Sequence, residues 1–211
     1  MFLPLMMLTL TSTCPPEGVS VLRTCYTDYF KTFNFTLFPD FATFSELLTR
    51  EIDQGGLDVL EDQCRALNTL KTCLGTYSIP CVNGTVISNN FNVNHNDAVA
   101  YAGDYSEQSY YCNEGFDLMK QYFPCMMKME NSPSTTPCLT MAIGDIQSGR
   151  NCKGYNDMTY CMSQIYGETC GNGVIPLICN ILQKDLQAQD DSEKCQWFDC
   201  SRPFPFNGTS F

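Results

Sequence analysis

Fourteen cysteines constrain this chain more than any other feature, because they are spread over almost all of its 211 residues. No C-x-x-C pair is present, and His95 is the single histidine. Structural zinc sites need closely spaced cysteine or histidine ligands, and thioredoxin-like sites need C-x-x-C. The pattern therefore predicts disulfides formed in an oxidising compartment, with no metal or other cofactor. The predicted disulfide cysteines, whose pairing stays open, are Cys14, Cys25, Cys64, Cys73, Cys81, Cys112, Cys125, Cys138, Cys152, Cys161, Cys170, Cys179, Cys195 and Cys200.

The first residues are typical of a secretory leader. An apolar run is followed by Thr11, Ser12 and Thr13, although no lysine or arginine follows Met1. The run is too short to cross a bilayer. Cleavage before Cys14 leaves an even number of cysteines. We predict a signal peptide at 1–13, a single cysteine-rich helical domain at 14–200 and a mobile tail at 201–211.

The charge of the chain limits its partners. Its 23 acidic and 12 basic residues give a formal net charge of −11, which would repel a polyphosphate backbone and excludes nucleic acid as a partner. After the leader, no segment approaches 18 consecutive apolar residues, so no membrane span is expected. We predict a secreted, extracellular protein.

Three N-x-[ST] sequons indicate glycosylation in the secretory pathway. They place candidate N-glycans on Asn34, Asn83 and Asn207. Together with the leader they favour a eukaryotic secreted glycoprotein.

Apolar periodicity predicts an all-α, disulfide-rich bundle of about five or six helices. Asp40 is a candidate N-cap, and Gly55-Gly56 should separate a first helix from a second that ends near Leu74. The Asn-rich and Gly-rich stretch at 82–96 is expected to be a loop. Further predicted helices run over 97–123, with Pro124 as the break or end, and over 138–147, 157–167 and 174–186; residues 131–137 are expected to be a loop.

One spacing recurs within the chain. Cys64-x8-Cys73 is followed after seven residues by Cys81, and Cys152-x8-Cys161 is followed after eight by Cys170. This similarity is compatible with two related helical halves and also with chance, and we keep a single domain.

The sequence offers little for catalysis, and we predict that the protein is not an enzyme. His95 lies between two asparagines and is expected to be an exposed loop residue, and no catalytic, phosphate-binding or EF-hand motif is present. Asp58, Glu61 and Asp62 share a helix face, which suits a solvated surface or a weak calcium site. Two carboxylates suffice for glycoside hydrolysis, so a carboxylate-based secreted hydrolase stays a remote alternative.

The chain is rich in aromatic residues and methionine. Tyr101, Tyr105, Tyr110 and Tyr111 are close in sequence and suit core packing, with an apolar or sugar-binding groove as the alternative. Ten methionines add adaptable apolar side chains.

The segment from Asn151 to Gly171, which ends in Glu168-Thr169-Cys170-Gly171, resembles the cysteine-rich domain of unknown function, family 19, of secreted nematode proteins. The order of the cysteines extends the resemblance over about residues 25–195, and related chondroitin-proteoglycan core domains of nematodes look similar in spacing. The resemblance implies an all-helical disulfide-rich fold and supplies no catalytic residues.

These observations favour an extracellular binding or matrix-associated module whose partner is a protein, a glycan or a small apolar ligand. A carrier of a small apolar ligand, enclosed by aromatic and methionine-rich helices, is the alternative.

Overall fold

A computed structural model describes residues 14–129, 132–188 and 195–201, and over these ranges the chain is all-α, as predicted. The predicted leader at 1–13 lies outside the described residues, as does the predicted tail beyond Ser201. The helices are α1 (Pro16–Thr32), α2 (Phe41–Leu74), α3 (Ser78–Cys81), α4 (Gly84–Phe91), α5 (His95–Tyr111), α6 (Phe116–Met129), α7 (Thr136–Gln147), α8 (Asn151–Cys170) and α9 (Ile175–Gln187).

The prediction of a loop at 82–96 is wrong, because these residues contain α4 and the start of α5. The asparagines that suggested a loop are helix caps. Asn83 and Asn94 accept hydrogen bonds from the backbone N–H groups of Val86 and Asp97, and Asn92 ends α4 in the left-handed conformation. Asparagine is favoured at both of these positions, so the asparagine-rich composition of this stretch indicates helix ends and not the absence of helix.

The structure also has more helices than the predicted five or six. Helix α1 was not predicted, and the predicted helix at 97–123 is two helices that meet at residues 112–115. Pro124 lies inside α6 instead of ending it. The predicted loop at 131–137 contains a 3₁₀ turn (Pro133–Thr135) and the start of α7. The helix predicted at 157–167 is part of the longer α8.

Helix α2 carries the predicted cap and the predicted break. The Asp40 carboxylate accepts a hydrogen bond from the Thr43 N–H at 2.9 Å. Gly56 has φ 65° and ψ −143°, a non-helical conformation that a residue without a side chain adopts readily. A kink at Gly56 therefore separates two helical segments of α2, as predicted.

The disulfides confirm that all fourteen cysteines are paired, and they divide the chain into two closed sets. In the N-terminal half (residues 14–112) the pairs are Cys14–Cys81, Cys25–Cys73 and Cys64–Cys112. In the C-terminal half (residues 116–201) they are Cys125–Cys170, Cys138–Cys161, Cys152–Cys195 and Cys179–Cys200. No disulfide joins the halves, because no cysteine is left over.

The two halves share one pairing order. Numbered within each half, and leaving aside Cys179–Cys200, the first cysteine pairs with the fifth, the second with the fourth and the third with the sixth. The recurrent spacing in the sequence therefore coincides with a recurrent covalent topology, which favours the interpretation as two related helical halves.

One apolar core nevertheless runs through both halves. Most of its buried members belong to the N-terminal half, and Met119, Phe123, Val174, Leu177 and Ile178 complete it from the C-terminal half. Helix α5 of the first half packs against α9 of the second. Among the described residues, no helix is long and apolar enough to cross a membrane.

Candidate functional site

An apolar cavity of about 200 Å³ opens where the two halves meet. The N-terminal half lines it with Thr49, Ile52, Leu60 and Tyr111. The C-terminal half lines it with Met119, Phe123, Met126, Met127 and Tyr166. We call it the junction cavity; interfaces between packed units are a frequent place for ligand sites.

The kink and two disulfides position the walls of the junction cavity. Ile52 and Leu60 lie on opposite sides of Gly56, so the bend in α2 brings both toward the same space. Cys64–Cys112 joins α2 to the end of α5, one helical turn after Leu60 and directly after Tyr111. Cys125–Cys170 joins α6 to α8 beside the methionine wall. Each wall is therefore held by its own cross-link, while no cross-link joins one wall to the other.

The lining of the cavity suits apolar contact and little acid–base chemistry. All nine lining side chains are uncharged. Met119, Met126 and Met127 are flexible and polarisable, so they adapt to the shape of a guest. Three of the lining residues, Thr49, Tyr111 and Tyr166, carry hydroxyl groups that can form hydrogen bonds.

A carboxyl cluster crosses the same junction between α5 and α9. Asp104 and Glu107 belong to α5, and Asp185 belongs to α9. A Cβ atom on Gly103 would come within 2.0 Å of the Asp185 Oδ1 atom, so a larger residue at this position would force that carboxylate to move. No ion pair to any of the three carboxylates occurs within the part of the chain that the structure describes.

Burial controls the protonation of this cluster. It raises the pKa of Asp104 to about 7. A hydrogen bond with Gln108 lowers this pKa in part, and the negative charge of Asp185 raises it further. Burial likewise raises the pKa of Asp185 to about 6. The pKa of Glu107 is raised well above its ordinary value by burial and then by the charges of Asp104 and Asp185.

Tyr111 links the carboxyl cluster to the junction cavity. It lines the cavity, and its pKa is raised well above the ordinary value, first by burial and then by the charges of Glu107 and Asp104. Asp104, Glu107 and Tyr111 follow one another at i, i+3 and i+7 on α5, so they share one helix face. Burial therefore favours the neutral, protonated forms of the groups behind this wall of the cavity.

The four clustered tyrosines serve different purposes. Tyr101 is buried among aromatic rings and donates a hydrogen bond to the Pro39 carbonyl oxygen at 3.1 Å, as core packing predicts. Tyr105 and Tyr110 are partly buried against the core. Tyr111 is the member that lines a cavity, so the prediction of an apolar groove applies to this residue.

A second, open groove of about 540 Å³ lies between the end of α1 and the kink of α2. It contains two carboxylates, Glu51 and Asp62, and Asp62 forms an exposed ion pair with Arg65. That pairing disfavours Asp62 as one of the two free acids that the hydrolase hypothesis needs.

The predicted acidic face lies at the surface, where Asp58 and Asp62 are exposed and Glu61 is half-buried. Within the described ranges, no group of three or more His, Cys, Asp or Glu side chains is arranged to hold a metal ion. His95 is exposed as expected, but it occupies the first position of α5 and not a loop.

The sequons differ in their surroundings. Asn34 is exposed just after α1 with φ 65°, and Thr36 is exposed too. Asn83 is partly buried: its Oδ1 caps α4, and its Nδ2 donates to the Pro80 carbonyl oxygen at 3.2 Å. Asn207 lies outside the described residues, and glycosylation of all three remains a prediction.

The carboxyl cluster was not predicted from the sequence. A usable signal was present in the shared helix face of Asp104, Glu107 and Tyr111, which places two acids on the side of a helix that carries an aromatic side chain. The contribution of Asp185 had no local signal, because it comes from a helix about eighty positions later in the chain.

Comparison with protein-family models, with curated proteins and with solved structures finds no match. The resemblance to the nematode domain therefore remains a prediction, and the function has to be argued from the chemistry of the molecule.

Proposed function

We propose that this chain is a secreted, non-catalytic binding protein that acts outside the cell. The observation that carries the proposal is the complete pairing of its fourteen cysteines into seven disulfides. Such a set persists where the environment is oxidising and is rare among cytosolic proteins. The sequons at Asn34, Asn83 and Asn207 and the proposed signal peptide at 1–13 agree with that compartment.

The cross-links also suit a binding role. Each wall of the junction cavity is fixed by its own disulfide, so little ordering is required when a partner binds. The partner class in this proposal is an extracellular protein, a glycan or a small apolar molecule.

Expression of the full chain in cultured eukaryotic cells tests the proposal. We expect the protein in the medium, starting at Cys14 or earlier, with a mass that alkylation does not change until a reductant is added. Retention in the cytosol, or free thiols in the native secreted material, would contradict it. Glycosidase treatment of the same sample reports whether the sequons are occupied.

A second candidate function, carriage of a small apolar molecule, is favoured by the junction cavity and its methionine wall. Native mass spectrometry of protein from the culture medium tests this candidate. Co-purifying small molecules that leave after gentle collisional activation would support it, and an empty protein from lipid-containing medium would count against it.

A further inference from the structure

We propose that the junction cavity binds a small neutral apolar molecule and discriminates against carboxylates with the same hydrocarbon tail. This inference rests on the second candidate function and names the ligand class of that site. Its basis is the size of the cavity and the chemistry of its lining.

Size sets the first limit. An engineered apolar cavity of about 150 Å³ accommodates benzene. The junction cavity, at about 200 Å³, is suited to a guest of similar or slightly larger size. A short unbranched alkyl chain fits this volume, whereas a long-chain lipid or a steroid exceeds it.

Charge sets the second limit. A carboxylate that enters an apolar site needs a cation or several hydrogen-bond donors, because an unpaired buried charge is costly. The lining contains no lysine, arginine or histidine. An anionic guest would therefore stay unpaired in the cavity.

A neutral polar end group meets a different environment. The hydroxyls of Thr49, Tyr111 and Tyr166 can accept or donate one hydrogen bond to an alcohol, while the tail contacts Met126 and Met127. The structure therefore favours small alcohols and similar neutral molecules over fatty carboxylates.

The test is a titration of the full-length secreted protein with 1-hexanol and with hexanoate at neutral pH, followed by the ¹³C methyl signals of its methionines. We expect 1-hexanol to shift the signals of Met119, Met126 and Met127 saturably, and to leave that of the exposed Met141 in place. Hexanoate should bind at least about tenfold more weakly.

Two variants locate the site. Thr49→Phe fills the cavity from α2 and should weaken hexanol binding at least about tenfold, whereas Thr69→Phe, at an exposed position on the same helix, should leave it unchanged. Met126→Trp fills the cavity from α6, with Met141→Trp as its exposed control, in case Thr49→Phe perturbs folding.

The failures are distinguishable. Hexanoate binding as tight as hexanol would overturn the ligand class and leave carriage in place. Hexanol binding that neither cavity variant weakens would overturn the site. Absence of saturable binding of both compounds would overturn this inference, while a small molecule that co-purifies with the same preparation would show that carriage survives.

Discussion

The two halves share a cross-link order but fill the space between their helices differently. In the N-terminal half, aromatic rings from α1, α2, α5 and the segment between α1 and α2 form one cluster around Phe30, with centroid separations between 4.7 and 5.7 Å. In the C-terminal half the rings of Tyr155 and Trp197 stack on each other, and Leu139, Met141 and Ile143 are exposed on α7.

The C-terminal half relies on covalent and ionic links instead. It has four disulfides against three, and shorter loops close them: 45, 23, 43 and 21 residues against 67, 48 and 48. Between α7 and α8, the Asp145 carboxylate accepts hydrogen bonds from Arg150 and from Lys153, the latter at 2.9 Å. Cross-links can thus support a segment whose apolar core is thin, as they do in small secreted domains.

Truncation of one ring in each half gives the largest expected contrast. Phe30→Ala removes a 1% exposed ring from the aromatic cluster and should lower the free energy of unfolding by about 4 kcal/mol. Tyr155→Ala, at an 8% exposed position outside the aromatic cluster where the ring stacks on Trp197, should lower it by about 2 kcal/mol. Guanidinium denaturation measures both, and equal losses would contradict the comparison.

Removal of the equivalent disulfide from each half comes next. Both Cys25→Ala/Cys73→Ala and Cys138→Ala/Cys161→Ala should lower the free energy of unfolding by about 2–4 kcal/mol. The location of the damage should differ, because the aromatic cluster holds α1 against α2 while a thin core holds α7 against α8. Hydrogen exchange should show local opening of α7 and α8 in the second variant and protection of α1 in the first.

The junction predicts a smaller effect that depends on pH. Asp104 and Asp185 have folded pKa values of about 7 and about 6, above their ordinary 3.8, so the folded state binds more protons than the unfolded chain between these values. The contribution of these groups to stability is therefore greatest below pH 4 and is lost as pH rises through 6 and 7. Asp104→Asn/Asp185→Asn should flatten this dependence in denaturation series recorded across that range.

Asp145 serves as a control, because its contribution to stability depends on pH in the opposite direction. Hydrogen bonds from Lys153 and then Arg150 hold its pKa below the ordinary value of 3.8. Its contribution to stability is present above that value and is lost as pH falls through the folded pKa. Asp145→Asn should therefore remove stability at neutral pH and leave the decline between pH 4 and 7 intact, and a variant that flattened this decline would contradict the assignment to the junction.

The smallest effect concerns the two described sequons of the N-terminal half. Asn34 is exposed and should be fully glycosylated, whereas the Asn83 amide is engaged by Val86 and Pro80 and should be occupied in part of the molecules. Thr36→Ala, which abolishes the Asn34 sequon at an exposed position and keeps asparagine at φ 65°, should remove one glycan mass without a change in stability. Asn83→Gln should remove less mass on average and cost about 1 kcal/mol, because the cap of α4 is lost. Intact mass and thermal unfolding report both.

Features that depend on neighbouring residues could be predicted from the sequence, whereas features that depend on residues far apart in the chain could not. The all-α fold, the Asp40 cap and the break at Gly56 follow from local patterns, and the structure confirms them. The misassigned loop at 82–96 shows that asparagine marks helix ends as readily as loops. Pairing could not be derived, since fourteen cysteines allow on the order of 10⁵ combinations.

The junction cavity was beyond local patterns for a related reason. Leu60, Tyr111, Met126 and Tyr166 are separated by tens of residues in the sequence, and only tertiary packing brings them together. The aromatic and methionine-rich composition suggested an apolar cavity as an alternative, but it gave no information about which helices would enclose the cavity.

The absence of any disulfide between the halves has a further consequence. A protease that cuts the backbone once between Cys112 and Cys125 would leave two internally closed polypeptides joined by packing alone. The nicked molecule would behave as a heterodimer, so its integrity would depend on dilution. A guest seated between the subunits would oppose their separation by mass action.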